Sequence, residues 1–171
     1  GAQSSGCMQN LEQQGEGFSD WFGLMLTMRE SDSPSIPRGV ATYSSGQEIT
    51  GNGLRNAPYS PDFSVNDYTY ADSNNTATVS QPHGVGFVFA TMLWDLTWAF
   101  VDEYGFDPDI TNGNGGNNKV MQLIIDGLKV APCSSGFVDM RDAIILADQL
   151  TNNGVNKCLI WNVFANRGLG Y

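Results

Sequence analysis

The sequence predicts a mainly α-helical fold interrupted by one long irregular loop. Three observations carry that expectation. Apolar residues recur at helical spacing through most of the chain, Gly, Pro, Ser, Asn and Asp dominate residues 31–82, and strand-like signals are confined to short pieces near 40 and 79. With 171 residues and 41% hydrophobic content there is enough apolar material for one core, and no repeat or boundary divides the chain.

The first helix is expected over residues 8–30, with Trp21, Phe22, Leu24, Met25 and Met28 as its apolar surface and Ser31-Asp32-Ser33-Pro34 as its stop. The loop that follows, punctuated by Pro34, Pro37, Pro58, Pro61 and Pro82, is about fifty residues long, far beyond an ordinary connection, and is expected to be functional. His83–Tyr104 is the strongest helix. Val85, Phe87, Val88, Phe89, Met92, Leu93, Leu96, Trp98 and Phe100 make it apolar on nearly every side, which places it at the centre of the fold. An Asn-Gly run at 112–118 reads as a flexible turn before a helix over Lys119–Val130. Asp139 and Asp142 open the next helix as capping acids, and Asn152-Asn153-Gly154 stops it. A last helix over Val155–Asn166 is closed by Gly168 in the left-handed conformation.

Eighteen acidic against eight basic residues give a formal charge of −10, which argues against nucleic acid or an anionic membrane as partner and favours solubility outside the cell. No uninterrupted apolar run reaches the length of a bilayer span. The opening Gly-Ala-Gln-Ser-Ser-Gly lacks both the charged and the apolar portion of a signal peptide, so an export address is expected upstream.

The stretch richest in chemistry is Gly15-Glu16-Gly17-Phe18-Ser19-Asp20-Trp21-Phe22. Glu16 and Asp20 stand four residues apart and share one helix face. Such a pair suits a metal site in which Glu16 ligates and Asp20 fixes the ring of a ligating histidine through its other nitrogen. The same spacing also describes an ordinary solvated face. Gly15 and Gly17 leave the carboxylate uncrowded, and a carboxylate beside so much apolar surface needs a counter-charge.

This stretch resembles the third-ligand helix of the fungalysin family, secreted zinc endopeptidases of the thermolysin-like group, with Phe18 in place of Trp. Four further stretches match the family in the same order. They are Gly53-Leu54-Arg55 leading into Pro58-Tyr59-Ser60-Pro61-Asp62; Pro82-His83 with Gly86 and Ala90-Thr91-Met92-Leu93-Trp94-Asp95; Gly136-Phe137-Val138-Asp139 with Arg141-Asp142-Ala143-Ile144; and Cys158-Leu159-Ile160-Trp161 with Phe164-Ala165 and Arg167-Gly168-Leu169-Gly170. The resemblance implies residues 1–171 as the helical C-terminal lobe of a thermolysin-like catalytic domain, bacterial in type. It implies zinc as cofactor, with Glu16 as third ligand and Asp20 behind the metal ligands. His83, the chain's single histidine, is implied as the donor that stabilises the oxyanion of the tetrahedral intermediate. Thr78, Val79, Ser80 and Gln81 offer no acid to orient it.

Arg55 is implied as a clamp on a substrate carbonyl, a task its fork suits. An ion pair with Asp62 or Asp67 is the alternative. Tyr59, Tyr68 and Tyr70 either line the same cleft or pack the long loop. Of the three cysteines, Cys133 and Cys158 stand where bacterial members of the family often carry cysteine, which implies a Cys133–Cys158 disulfide; Cys7 is then free or bonded elsewhere. Burial of all three in reduced form is the alternative. Asp102, Glu103, Asp107 and Asp109 read as an acidic helix end, with calcium held by their oxygens as the alternative although no EF-hand order is present, and Asn74-Asn75-Thr76 fits a glycosylation sequon.

The family's His-Glu-x-x-His motif, source of two zinc ligands and the general base, is absent from these residues. The expected function is therefore one part of a secreted zinc metalloendopeptidase, made as a zymogen and inactive without an upstream lobe carrying that motif. Its expected partners are that N-terminal lobe, an inhibitory propeptide and a protein or peptide substrate. The alternative is a non-catalytic surface or interaction module descended from the same lobe, or a self-assembling one.

Overall fold

One helix, α2 (His83–Tyr104), organises the molecule, because fourteen of its residues are buried, the rings of Phe87, Phe89, Trp94, Trp98 and Phe100 among them. The computed structural model describes residue 7 and residues 9–170. Around α2 stand α1 (Gly15–Thr27), α3 (Gly116–Val130), α4 (Phe137–Asn152) and α5 (Lys157–Asn166), with a 3-10 turn at Tyr70–Asn74. Phe89 of α2 shows how the layers meet. Its ring lies 5.7 Å from Phe18 of α1, 4.9 Å from Phe137 of α4 and 6.1 Å from Phe164 of α5. All of these except Phe18 are fully buried, and each such ring contributes about 1.5–3 kcal/mol relative to exposure. By length and mean hydropathy α2 could cross a bilayer, yet 83% of its apolar window lies inside the fold, so it is the core helix the sequence predicts.

The fold is mainly helical, as expected. Among the described residues there is no β-strand; the alternation near 40 yields only the isolated bridges Arg38–Tyr59 and Val40–Gly53, and that near 79 yields none. The bounds of α2 match the expectation. The first helix is shorter: it starts at Gly15, because residues 10–14 spend their polar groups on the connection before α4, where Asn10 Nδ2 donates to the Ser134 carbonyl and the buried Gln14 donates to that of Ser135. The expected start at Met8 lies outside the described residues. The Asn-Gly turn is tied rather than free, since Asn117 exchanges hydrogen bonds with the Asp107 backbone at 2.8 and 2.9 Å, and α3 begins three residues early. Asp139 caps α4 by accepting from the Gly136 amide at 2.9 Å, whereas Asp142 instead pairs with Arg141. Asn153 turns left-handed to end α4, and Gly168 does so after α5 at φ +82°.

The Cys133–Cys158 disulfide is not formed. Cys7 bonds to Cys133, with Cα atoms 4.8 Å apart, and Cys158 is an exposed free thiol on α5. The reason is the path of residues 10–14, which run beside residues 134–137 and bring Cys7 to the end of α3.

The long loop packs without regular structure because buried cations gather its carbonyls. Arg167, fully buried, donates to the backbone of Ser60, Asn66 and Tyr68 and forms a two-pronged pair with Asp95 on α2 at 2.6 and 3.2 Å. Nearer α1 the buried Arg38 ties the loop to that helix, pairing with Asp32 and donating to Thr27 Oγ1 at 2.8 Å.

Candidate active site

The site starts from two glycines. Gly17 and Gly86 let α1 and α2 touch backbone to backbone: a Cβ on Gly17 would lie 2.1 Å from the Gly86 carbonyl oxygen, and one on Gly86 would lie 2.5 Å from the Gly17 nitrogen. Gly17 thus serves the helix crossing rather than clearance around the carboxylate. Further along, Trp21 Nε1 donates to Thr97 Oγ1 at 2.9 Å, so the two helices run in the same sense and their N-termini lie side by side. The partial positive ends of both helices converge there, which favours negative charge.

Glu16 occupies the first turn of α1 and His83 is the first residue of α2. His83 Nε2 lies 3.5 Å from Glu16 Oε2, and both side chains are open to solvent, 57% and 41% exposed. Glu16 is thus an acidic neighbour of His83 that faces it from across the helix interface. Among the described residues no group of three His, Cys, Asp or Glu side chains stands ready for a metal. An outward-facing carboxylate with one neighbour, on a helix end, fits one ligand of a shared site.

One turn along α1, Asp20 is buried and grips Arg55 with both oxygens, Nε to Oδ2 at 2.6 Å and Nη2 to Oδ1 at 2.8 Å. The Tyr59 hydroxyl donates to the same Oδ2 at 2.6 Å. Arg55 therefore pairs with neither Asp62 nor Asp67. The hydrogen bond to Asp20 raises the guanidinium above its ordinary pKa. Burial, and then the Asp20 charge, raise the Tyr59 hydroxyl well above its own, so it remains a donor. A carboxylate has about four acceptor sites; among the described residues three are used, and one remains on Oδ1. Among the same residues Arg55 Nη1 has no acceptor. Its position is set by Gly53, whose φ of +63° carries the chain past the Val40 carbonyl, where a Cβ would stand 1.9 Å away.

The sequence brought Glu16 and Asp20 forward as a pair and His83 and Arg55 one by one, and the fold sets His83 beside Glu16 and Arg55 on Asp20. It does not bring Cys133 and Cys158 together. Tyr59 both packs the loop, its buried ring 5.3 Å from Phe87, and donates directly to Asp20, a role its place between Pro58 and Pro61 does not reveal. Tyr68 and Tyr70 pack inward, Tyr68 against Phe87 and Tyr70 against Phe137.

Residues 1–171 match the model of the fungalysin metallopeptidase (M36) family. The chain belongs to the fungalysin family. It is 37% identical over 178 residues to extracellular metalloproteinase 2 of Trichophyton tonsurans, an alignment covering 99% of this chain and 27% of that protein. It is 36% identical over 179 residues to extracellular metalloproteinase 3 of Arthroderma otae, covering 100% and 27% respectively. This fungalysin chain therefore spans about a quarter of the length of these relatives.

Proposed function

We propose that this chain forms the helical, C-terminal side of the catalytic cleft of a secreted zinc metalloendopeptidase that hydrolyses peptide bonds. The observation that carries the proposal is the Glu16 carboxylate turned outward at His83, 3.5 Å away, where two helix N-termini meet. Glu16 would be one zinc ligand, and an upstream lobe with a His-Glu-x-x-His helix would supply the others together with the general base. Zinc bound there would polarise the scissile carbonyl and acidify an attacking water.

The residues of this chain then divide the remaining work. His83 donates a hydrogen bond to the oxyanion as the carbonyl carbon becomes tetrahedral, assisted by the N-terminal field of α2. Asp20 offers its last acceptor site on Oδ1 to the free ring N–H of a ligating histidine, fixing that ring. Arg55, oriented by Asp20 and Tyr59, holds a substrate carbonyl through Nη1. The retained Glu16–His83 and Asp20–Arg55 pairs favour this function over a non-catalytic module, which has no use for a half-exposed carboxylate beside a histidine. Partners are the upstream lobe, an inhibitory propeptide that keeps the zymogen silent, and protein or peptide substrates.

The test is reconstitution. The chain alone is expected to show neither stoichiometric zinc binding nor casein hydrolysis, and both are expected once the upstream lobe is supplied. Hydrolysis by the isolated chain contradicts a site shared between two lobes.

A further inference from the structure

Residues 9–14 lie as a strap across the connection between α3 and α4. Asn10 Nδ2 donates to the Ser134 carbonyl at 3.2 Å; Gln14, fully buried, donates to that of Ser135 at 3.2 Å and accepts from Ser135 Oγ at 3.3 Å. The Cys7–Cys133 disulfide closes the same seam, and Nε2 of the Gln81 side chain, two residues before His83, donates to the Leu11 carbonyl. Glu12 stands at its centre with both oxygens engaged. Oε1 accepts from the Tyr70 hydroxyl at 2.9 Å, and Oε2 accepts from the Phe137 amide, the first of α4, at 3.2 Å.

This carboxylate joins three stretches that are remote in sequence. An anion at the N-terminus of α4 is favoured by unsatisfied amides and the helix dipole. Burial, and then the hydrogen bond to Glu12, raise the Tyr70 hydroxyl above its ordinary pKa, so it stays a donor at neutral pH. The strap ends at Gln14, whose carbonyl accepts the Phe18 amide at 3.0 Å, and Glu16 follows two residues later in the first turn of α1. Whatever fixes the strap fixes the entry of α1.

We propose that Glu12 is a positioning residue for Glu16: by holding Tyr70 and the start of α4 together it sets where the Glu16 carboxylate presents its oxygens to a divalent metal. The proposal rests on Glu16 being a zinc ligand, and it assigns to Glu12 no contact with metal or substrate.

A double-mutant cycle in the intact polypeptide carrying this chain tests it, read as the zinc dissociation constant in competition with a chromophoric chelator. Glu12→Ala is expected to weaken zinc binding about 10–100-fold, and Glu12→Gln less, since its amide keeps one acceptor. On a Glu16→Gln background the effect of Glu12→Ala is expected to shrink below about threefold, because the ligand it positions is gone. Equal losses on both backgrounds, or no loss on either, overturn the proposal. Should Glu12→Ala fail to fold, Tyr70→Phe keeps the ring against Phe137 and removes one arm; about a two- to tenfold weakening, again confined to the Glu16 background, is expected. No change in Tyr70→Phe then overturns it. Unaltered zinc affinity in Glu16→Gln itself instead removes the metal site on which the proposal rests.

Discussion

A side-chain carbon on Gly17 would stand 2.1 Å from the carbonyl oxygen of Gly86, so the residue beside the proposed zinc ligand is pressed against the helix that begins with His83. Gly17→Ala must push α1 and α2 apart, at a cost of about 1–3 kcal/mol or more. Gly23 lies on the same helix with nothing within 4 Å of its added carbon, so Gly23→Ala is expected to stabilise by about 0.5–1 kcal/mol. Urea unfolding of the two variants checks both signs.

Cys7–Cys133 closes a loop with a sequence separation of 126. Its loss in Cys7→Ser is expected to destabilise by about 2–5 kcal/mol. Cys158→Ser, at an exposed position, should change stability by no more than about 0.5 kcal/mol. Thiol titration of the unreduced protein should find Cys158 reactive, and peptide mapping should find the Cys7–Cys133 linkage; a Cys133–Cys158 peptide contradicts the structure.

Arg167 is fully buried and pairs with Asp95, whose carboxyl is raised above its ordinary pKa by burial despite that partner. Arg167→Met strands Asp95 and three loop carbonyls and is expected to cost about 3–5 kcal/mol. The double variant Arg167→Met/Asp95→Leu should be less destabilised than Arg167→Met alone, and equilibrium unfolding of the pair decides.

Asp109 holds its loop by accepting from the Thr111 and Asn112 amides and from both of their side chains. These bonds, led by the Asn112 amide, lower its pKa from 3.8 to about 2. A lowered carboxylate stabilises the folded form fully above its unfolded value and loses that contribution as pH falls through the folded one. The Thr111 and Asn112 amide signals should therefore titrate with a midpoint near pH 2 in NMR spectra, and Asp109→Asn should abolish that titration.

What the sequence makes legible follows the range of the interaction. The helix α2 is readable because Pro82 and an all-round apolar run are local signals, and Gly168 is readable because only its own backbone is involved. The start of α1 is not, since Asn10 and Gln14 would suit a helix and are diverted by carbonyls more than 120 residues away. The cysteine pairing fails for the same reason. Glu16 and Asp20 share a face by spacing alone, but their partners come from elsewhere. Arg55 reaches Asp20 from 35 residues away along an irregular loop, and His83 meets Glu16 only because two glycines allow their helices to touch. Periodicity carries neither fact; the family motifs single out the residues without showing that Arg55 and Asp20 pair.

The proposed function requires Glu16 to be a metal ligand. Zinc-edge X-ray diffraction from crystals of the intact polypeptide carrying this chain measures it directly. The expected result is a Glu16 carboxylate oxygen about 2.0–2.2 Å from the zinc, with His83 on the same side of the cleft. A zinc ion whose coordination is complete without Glu16, or one bound at a place this carboxylate does not face, contradicts it.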